Sequence, residues 1–395
     1  MRSNASCPNC DSAGMSVFFE LQQVPAHSVL LMPTRENALG YPKGDIRLGF
    51  CDTCGFISNV AFDPGLNEYS SRYEETQGFS ATFNAFARNL AAGLIERYDL
   101  HGKDLIEIGC GKGEFLTLLC EMGDNRGIGF DPSYVSVRNT SEIKDRVTFV
   151  TDFYSEKYAG YRADFVCCKM TLEHIDRTAE FVRMVRRSIG NRPDTIVFFQ
   201  VPDVSRVLRD VAFWDVYYEH CSYFSAGSLA RLFRRSGFDI VDLRRDYDDQ
   251  YLMIEARPGS GAGDTFPALE DDLAELAAGV QYYAAECRHR LGRWKTYLQA
   301  CKREGQRVVL WGSGSKGVAF LTTLGIQDEI EYTVDINPYK HGTFMAGTGQ
   351  EIVAPEFLRE YQPHIVIMMN PIYEHEIRQY LGTIGLNPEI VSIDR

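Results

Sequence analysis

Hydrophobic and polar positions divide the chain into a strand-rich beginning and two longer stretches in which strands alternate with helices. From Ser80 to Arg97, apolar residues recur every three or four positions, which predicts an amphipathic helix. Between residues 104 and 256, apolar strand-like runs alternate with helical patterns, as is typical of a parallel sheet covered on both faces. The predicted strands are Leu105–Ile108, Gly127–Phe130, Val147–Val150, Ala163–Cys168, Ile196–Gln200 and an antiparallel edge hairpin of Phe238–Leu243 with Gln250–Ala256.

A second alternation follows the flexible run Pro258–Gly263. One or two long amphipathic helices are predicted over residues 267–304, and then strands at Arg307–Trp311, Ile330–Val334 and Ile365–Met369. The patterns predict an α/β protein in four stretches: a small zinc-binding domain (1–66), a central α/β domain (67–258), a linker with long helices (259–304) and a C-terminal Rossmann-like domain (305–395).

Two Cys-x-x-Cys pairs lie in the first stretch, among short β-like runs such as Ser28–Met32. Cys7, Cys10, Cys51 and Cys54 can supply four thiolates to one tetrahedral zinc ion, each pair on a tight knuckle. We expect a structural zinc rather than a redox pair. A catalytic zinc is disfavoured, because four thiolates leave no open coordination position.

Charge and composition exclude several classes of protein. The chain has 41 basic and 54 acidic residues, a net charge of -13, and no basic face, so nucleic acid is not an expected partner. It begins without a targeting-type segment and contains no run of about 18 apolar residues. We therefore expect a cytoplasmic protein without a membrane partner.

A glycine run with an acidic start, Glu107-Ile-Gly109-Cys-Gly111-Lys-Gly113, closes one predicted strand and opens a helix. Such glycines permit a tight turn and the close approach of a ligand to a helix N-terminus. The spacing alone also suits NAD, or a purely structural turn. The acid Asp131 after the next strand and Asp152-Phe153 after the third favour S-adenosylmethionine (SAM), with the acids on ribose and adenine and Phe153 beside the ring.

The segment from Tyr217 to Ser225 contains a histidine beside a carboxylate and phenols. Histidine titrates near pH 6.5, so His220 could remove a proton next to a carbonyl group. A buried histidine with only a structural role remains an equal alternative.

These motifs resemble those of class I SAM-dependent methyltransferases, over roughly residues 70–256, and their order along the chain resembles the sugar C-methyltransferase family that builds branched deoxysugars. The resemblance implies a central seven-stranded sheet, SAM and structural zinc as cofactors, and a small-molecule substrate. The implied substrate is a nucleotide-linked 4-keto-deoxysugar, methylated at C3 through an enolate.

The resemblance also implies roles for particular residues. His220 would be the base, with Glu219 and Tyr217 assisting it or holding the sugar. Tyr73 and Gln77 lie ahead of the predicted helix Ser80–Arg97, and from that position we expect them to cover the methionine end of SAM. The candidate substrate contacts are His174, Tyr218, Tyr223 and Lys316. His174 could equally serve only to stabilise its loop, and the loop Gly312–Gly317 that carries Lys316 could instead serve only packing.

The chain departs from the family at three points. It has Tyr218 where the family commonly has a histidine, Met170 where an asparagine is common, and Met369-Asn370-Pro371 in place of Pro-Trp-Asn. An O- or N-methyltransferase for another small metabolite, and a non-catalytic protein that binds zinc and SAM, therefore stay open as alternatives. The sequence does not predict an oligomeric state.

Overall fold

The computed structural model describes residues 2–3, 5–139, 141–262 and 267–395, so Gly263 of the predicted flexible run lies outside the described residues. The first sheet is antiparallel, and its strands lie side by side in the order in which they occur along the chain. Its first elements are β1 (Arg2–Ser3), β2 (Met15–Pro25), α1 (Arg35–Leu39), β3 (Lys43–Phe50) and β4 (Ile57–Asn59).

The predicted β-like run Ser28–Met32 is not a strand. Only Leu30 pairs there, in a single bridge with Tyr73. Val29, Leu30 and Met32 are apolar because this loop is buried in the core, and burial alone does not require strand pairing.

A seven-stranded sheet forms the centre of the molecule, as predicted. Its strands run in the order β7-β6-β5-β8-β9-β12-β11, and β12 is antiparallel to both of its neighbours. The elements are α2 (Ala81–Tyr98), β5 (Asp104–Ile108), α3 (Glu114–Gly123), β6 (Arg126–Phe130), β7 (Val147–Val150), β8 (Phe165–Lys169), α4 (Thr178–Ile189), β9 (Ile196–Pro202), α5 (Val204–Arg209), β10 (Ser222–Tyr223), α6 (Ala226–Arg235), β11 (Phe238–Asp246) and β12 (Tyr251–Pro258).

A single 31-residue helix, α7 (Leu273–Arg303), leads to a five-stranded parallel sheet in the order β15-β14-β13-β16-β17. Its elements are β13 (Val308–Trp311), α8 (Ser315–Leu324), β14 (Tyr332–Val334), β15 (Glu351–Val353), α9 (Leu358–Tyr361), β16 (Ile365–Met368), α10 (Glu374–Thr383) and β17 (Glu389–Ser392). The two short edge strands β15 and β17 were not predicted, because each is only three or four residues long and begins with an exposed glutamate.

The N-terminal, central and C-terminal parts of the chain are joined by a shared sheet and a shared apolar core, and not only by linkers. β10, from the central part of the chain, pairs with β4 and completes the first sheet. One apolar core joins residues of the first sheet, α7 and the last sheet. In the part of the chain that the structure describes, no helix is both long and apolar enough to cross a membrane.

Candidate active site

A cavity of about 1590 Å³ lies where the carboxyl ends of the central strands face the C-terminal sheet. The central sheet contributes Glu107, Asp131 and Gln200, and the C-terminal sheet contributes the loop 312–317 and Asn370. Sites for one small ligand usually enclose roughly 300–1,000 Å³. This cavity therefore has room for two ligands side by side.

The glycine run after β5 forms one wall. Gly109 has φ 71°, a left-handed conformation that favours glycine, and a Cβ there would lie 2.0 Å from Thr171 Oγ1. The Gly111 amide donates to Asp131 Oδ2 at 2.8 Å. The run therefore brings backbone to the cavity wall at the N-terminus of α3, where an anionic group can be held.

Glu107, the acid that opens this run, is buried at the cavity. Its Oε2 accepts a hydrogen bond from the Leu116 amide in α3 at 3.0 Å. Burial raises the pKa of Glu107 to about 7, although the charge of Lys169 opposes the shift. Glu107 thus fastens the strand to the helix that follows, as well as lining the cavity.

The other predicted cofactor residues after the strands also reach the cavity wall. Asp131 holds Ser133 through both its amide (2.7 Å) and its hydroxyl (2.6 Å). Asp152 is paired with Lys157 and accepts from the Tyr158 hydroxyl at 2.6 Å, and its pKa is lowered mainly by the hydrogen bond from Lys157. Phe153 is 60% exposed at the rim, so much of its surface is available to cover a ligand.

Tyr73 and Gln77 line the same cavity, and the structure adds a residue that the sequence analysis missed. Lys112 is buried, and its Nζ donates to the Tyr73 carbonyl at 2.7 Å and to the Ser133 carbonyl at 2.9 Å. Gln77 accepts from the Tyr373 hydroxyl at 2.9 Å, which links this wall to the C-terminal sheet. The signal for Lys112 was its position inside the glycine run.

His220 lies in a cluster of rings at the cavity. Ring centroids are 4.2 Å apart for His220 and Tyr217, 4.8 Å for His220 and His174, and 6.4 Å for His220 and Tyr223. Burial holds the pKa of His220 well below its usual range, and the neighbouring His174 and Lys316 lower it further. The imidazole is therefore neutral near pH 7 and free to accept a proton.

Glu219 and Tyr218, predicted as catalytic and substrate-binding, do not line the cavity. The Tyr218 hydroxyl accepts from the Asp63 amide at 2.8 Å on the side of the first sheet. Glu219 accepts from the Ser28 amide and hydroxyl and lies 2.9 Å from His27 Nδ1. Residues 218 and 219 form a turn in which the His220 amide donates to the Tyr217 carbonyl at 3.2 Å, and of these four residues only Tyr217 and His220 line the cavity.

The buried acid beside His220 is instead Glu173, which was not predicted as a site residue. It lies between Leu172 and His174 in a short 3-10 helix after β8. Its Oε1 is 4.0 Å from His220 Nε2, and neither carboxyl oxygen has a hydrogen-bond partner. The sequence signal that could have indicated Glu173 was its position directly before His174, which was already a predicted site residue.

Lys316 brings a positive charge into the cavity from the C-terminal sheet. Its Nζ lies 3.2 Å from Asp215 Oδ1 and 3.1 Å from Gln250 Oε1. Burial lowers the pKa of Lys316. Gln250 also accepts from Asn370 at 3.0 Å, so one amide joins the two sheets at the cavity.

The four cysteines Cys7, Cys10, Cys51 and Cys54 are buried, and their sulfur atoms all lie within 4.8 Å of one another. Sγ–Sγ distances are 3.7 Å for Cys7 and Cys54 and 3.6 Å for Cys10 and Cys51. A tetrahedron with Zn–S bonds of about 2.3 Å has edges of about 3.8 Å. The donor set and spacing therefore fit zinc, and none of the four cysteines lines the cavity.

Two family models match this chain. Residues 83–243 match "Methyltransferase domain", and residues 271–385 match "C-methyltransferase C-terminal domain". Among curated proteins, the C-methyltransferase NovU of Streptomyces niveus is 27% identical over 304 residues, covering 73% of this chain and 72% of that protein. The protein is thus a SAM-dependent methyltransferase, an enzyme of the EC 2.1.1 class.

Solved structures with a similar part include the 1,6-didemethyltoxoflavin-N1-methyltransferase of Burkholderia thailandensis, at 18% identity and a TM-score of 0.35 over 44% of this chain and 78% of that chain. Another is the magnesium protoporphyrin IX methyltransferase of Synechocystis PCC 6803, at 15% identity and a TM-score of 0.37 over 47% and 91%. Within its class, the chain belongs to the SAM-dependent C-methyltransferase family.

Proposed function

We propose that the protein transfers a methyl group to C3 of a nucleotide-linked 4-keto-deoxysugar, after His220 has removed the proton from that carbon. The observation that carries this proposal is the buried, neutral imidazole of His220 at a cavity between the glycine run and the C-terminal loop. Carbon methylation needs such a base, because a C–H group next to a ketone becomes nucleophilic only when its proton is removed.

The residues at one side of the cavity fit SAM. The amides of the glycine run and the N-terminus of α3 suit the carboxylate of the methionine part, and Tyr73 and Gln77 would cover it. Asp131 would accept the ribose hydroxyls, Asp152 would meet the adenine amino group, and Phe153 would cover the ring. When bound, SAM supplies an electrophilic methyl group whose transfer needs orientation and the exclusion of water.

Glu219 acts as a positioning residue in this proposal. It precedes His220 directly, and its carboxylate is held by Ser28 of the N-terminal part and lies 3.5 Å from the Ser315 hydroxyl of α8. Burial alone would raise the pKa of Glu219, but His27 and the Ser28 amide lower it, so the group is a carboxylate. Its role is to fix the backbone that carries His220, while Tyr217 packs on the imidazole ring.

The nucleotide diphosphate would lie toward the C-terminal sheet. The loop 312–317 leads into the N-terminus of α8, which suits an anion, and Lys316 adds a cation at the cavity. His174 and Tyr223 line the cavity beside His220 and would contact the sugar. Asp335 accepts from the Ser313 amide at 3.0 Å and the Asn337 amide at 2.9 Å and so orders this loop.

Zinc at the four cysteines would stabilise the fold. Arg231 donates to the Cys54 carbonyl at 3.1 Å and Arg235 to the Cys10 carbonyl at 3.0 Å, so the knuckles rest on α6 of the central part. Four thiolates leave no open coordination position for catalysis.

The test uses the purified protein and a panel of nucleoside diphosphate 4-keto-deoxyhexoses. We expect release of S-adenosylhomocysteine and, in D₂O without SAM, exchange of the C3 proton. His220→Ala should lose both by about 100-fold or more, because general-base catalysis typically contributes 10²–10⁴-fold, while SAM affinity is retained.

His289→Ala, on the exposed surface of α7, is the matched control and should behave as the wild type. S-adenosylhomocysteine release without C3 exchange would contradict carbon methylation and favour an O- or N-methyltransferase. SAM binding without turnover on any acceptor would contradict the enzymatic proposal as a whole.

A further inference from the structure

We propose that Glu173 is a second catalytic residue, which as a neutral carboxylic acid donates a hydrogen bond to the substrate's keto oxygen while His220 takes the proton from the adjacent carbon. This inference rests on the proposed function, since it needs a ketone beside His220. In this acid–base pair the acid is Glu173, which lines the cavity, and not Glu219, which does not.

The geometry of the pair suits a ketone. Glu173 Oε1 and His220 Nε2 are 4.0 Å apart, and both residues line the cavity. A keto oxygen and the neighbouring carbon are about 2.4 Å apart, from bond lengths of about 1.23 and 1.52 Å. Two groups 4.0 Å apart can therefore reach the oxygen and the carbon's proton of one ketone at the same time.

The carboxyl group has no other task in the structure. Its side chain is 1% exposed, and neither oxygen has a hydrogen-bond partner among the described residues. Leaving a buried polar group unpaired costs about 1–3 kcal/mol, so such groups call for an explanation. A substrate oxygen that arrives with the ligand would supply the missing partner.

Electrostatics support the neutral form. No lysine or arginine of the described ranges lies within ion-pair distance of Glu173, and burial raises its pKa to about 8. The groups that interact with it are neutral near pH 7, namely His220, Cys168, Cys221, Tyr69, Tyr217 and Tyr251. A buried carboxylic acid kept neutral in this way can donate a hydrogen bond to a developing oxyanion.

The proton removed from carbon and each displaced electron pair have a defined acceptor. His220 Nε2 takes the proton from carbon, the C–H electron pair forms the enolate double bond, and the carbonyl π pair moves to the oxygen that Glu173 holds. When that carbon gains the methyl group, the carbonyl re-forms and Glu173 keeps its proton. The imidazolium then loses its proton to water. Since the low basicity of His220 makes it a weak acceptor, polarisation of the carbonyl by Glu173 would lower the barrier.

Exchange of the C3 proton in D₂O without SAM, followed from pH 6 to 9.5, tests the proposal. The wild type should lose exchange above pH 8, about tenfold per pH unit, as Glu173 ionises. Glu173→Gln keeps a neutral donor, so we expect a rate lower by roughly tenfold but without that loss at high pH. Glu173→Ala should be slower by roughly 100- to 1,000-fold, the cost of removing one oxyanion donor.

Glu180→Gln, the same change on the exposed start of α4, is the matched control. A high-pH loss that persists in Glu173→Gln, or wild-type exchange in Glu173→Ala, would overturn the assignment. If the wild type exchanges no substrate proton at all, the proposed function fails first. Infrared difference spectra of the free protein between pH 6 and 9.5 give an independent readout. We expect the wild type to show a carboxylic acid band that disappears as the pH rises, and the Glu173→Gln variant to lack that band.

A measurement of divalent metal content tests whether Glu173 instead binds a metal ion together with the two histidines beside it. Glu173, His174 and His220 each offer a donor atom within 4.8 Å of the others. A metal ion beyond the cysteine zinc that is bound by the wild type and lost in Glu173→Gln would overturn the proposal, because a metal-bound Glu173 would be a carboxylate. Unchanged metal content in the variant is the expected result.

Discussion

Replacing Glu173 by glutamine should stabilise the protein, and more so as the pH rises. The ordinary pKa of glutamate is 4.5, whereas burial raises that of folded Glu173 to about 8. Because the folded pKa is the higher one, the carboxyl group opposes folding above pH 4.5, and its cost grows until the pH reaches about 8. Glutamine does not titrate, so the variant lacks this cost.

The magnitude follows from the two pKa values at about 1.36 kcal/mol per unit. At pH 5 the variant should gain less than about 1 kcal/mol, at pH 7 about 3 kcal/mol, and above pH 8 about 5 kcal/mol. The buried amide replaces one neutral polar group by another, so desolvation of the side chain nearly cancels at low pH.

Urea unfolding at pH 5, 7 and 8.5 measures the difference, with Glu180→Gln as the control for the substitution itself. The denaturant midpoint of Glu173→Gln should exceed that of the wild type by an increasing amount, with an unchanged slope. A difference that stays constant from pH 5 to 8.5 would refute the raised pKa and, with it, the neutral acid at the cavity.

Three further predictions concern residues on which the site depends. Glu219→Gln should destabilise the protein by about 2–4 kcal/mol in urea unfolding at pH 7, since the amide has no charge and one acceptor oxygen where the carboxylate offers two, one to Ser28 and one beside His27. The deficit should shrink as the pH falls below 4.5 toward the lower folded pKa. Full stability with lost turnover would instead indicate direct catalysis. Cys51→Ser should lose zinc by elemental analysis and lower the Tm sharply. Gly109→Ala should reduce SAM affinity at least tenfold by calorimetry, because its Cβ meets Thr171.

Much of the fold could be predicted from the pattern of apolar residues. The seven central strands were each located to within about three residues, because the five parallel strands are mostly buried apolar runs and the antiparallel β12 is buried along most of its length beside β11. Long strand β2 was missed, because its outward positions are polar and it is bent by irregular pairing to β3. A loop was mistaken for a strand at Ser28–Met32, where tertiary burial explains the apolar side chains.

The chain's departures from its family are also clearer in three dimensions. Tyr218, which stands where the family commonly has a histidine, points to Asp63 and away from the cavity. Met170 has φ 49°, a left-handed conformation that asparagine tolerates far better than methionine, so this backbone is strained beside the site. The C-terminal departure places Asn370 against Gln250 at the junction of the two sheets.

The sequence by itself determined the chemistry that repeats at fixed spacing: the cysteine pairs, the glycine run with its acids, and the alternation of strands and helices. These depend on local geometry, which a few neighbouring residues fix. Only the tertiary structure decided which acid accompanies His220, because Glu173 and His220 are 47 positions apart and meet through the packing of the loop after β8 against the segment before β10. Sequence adjacency favoured Glu219, but the turn from Tyr217 to His220 directs its carboxylate toward Ser28 and His27.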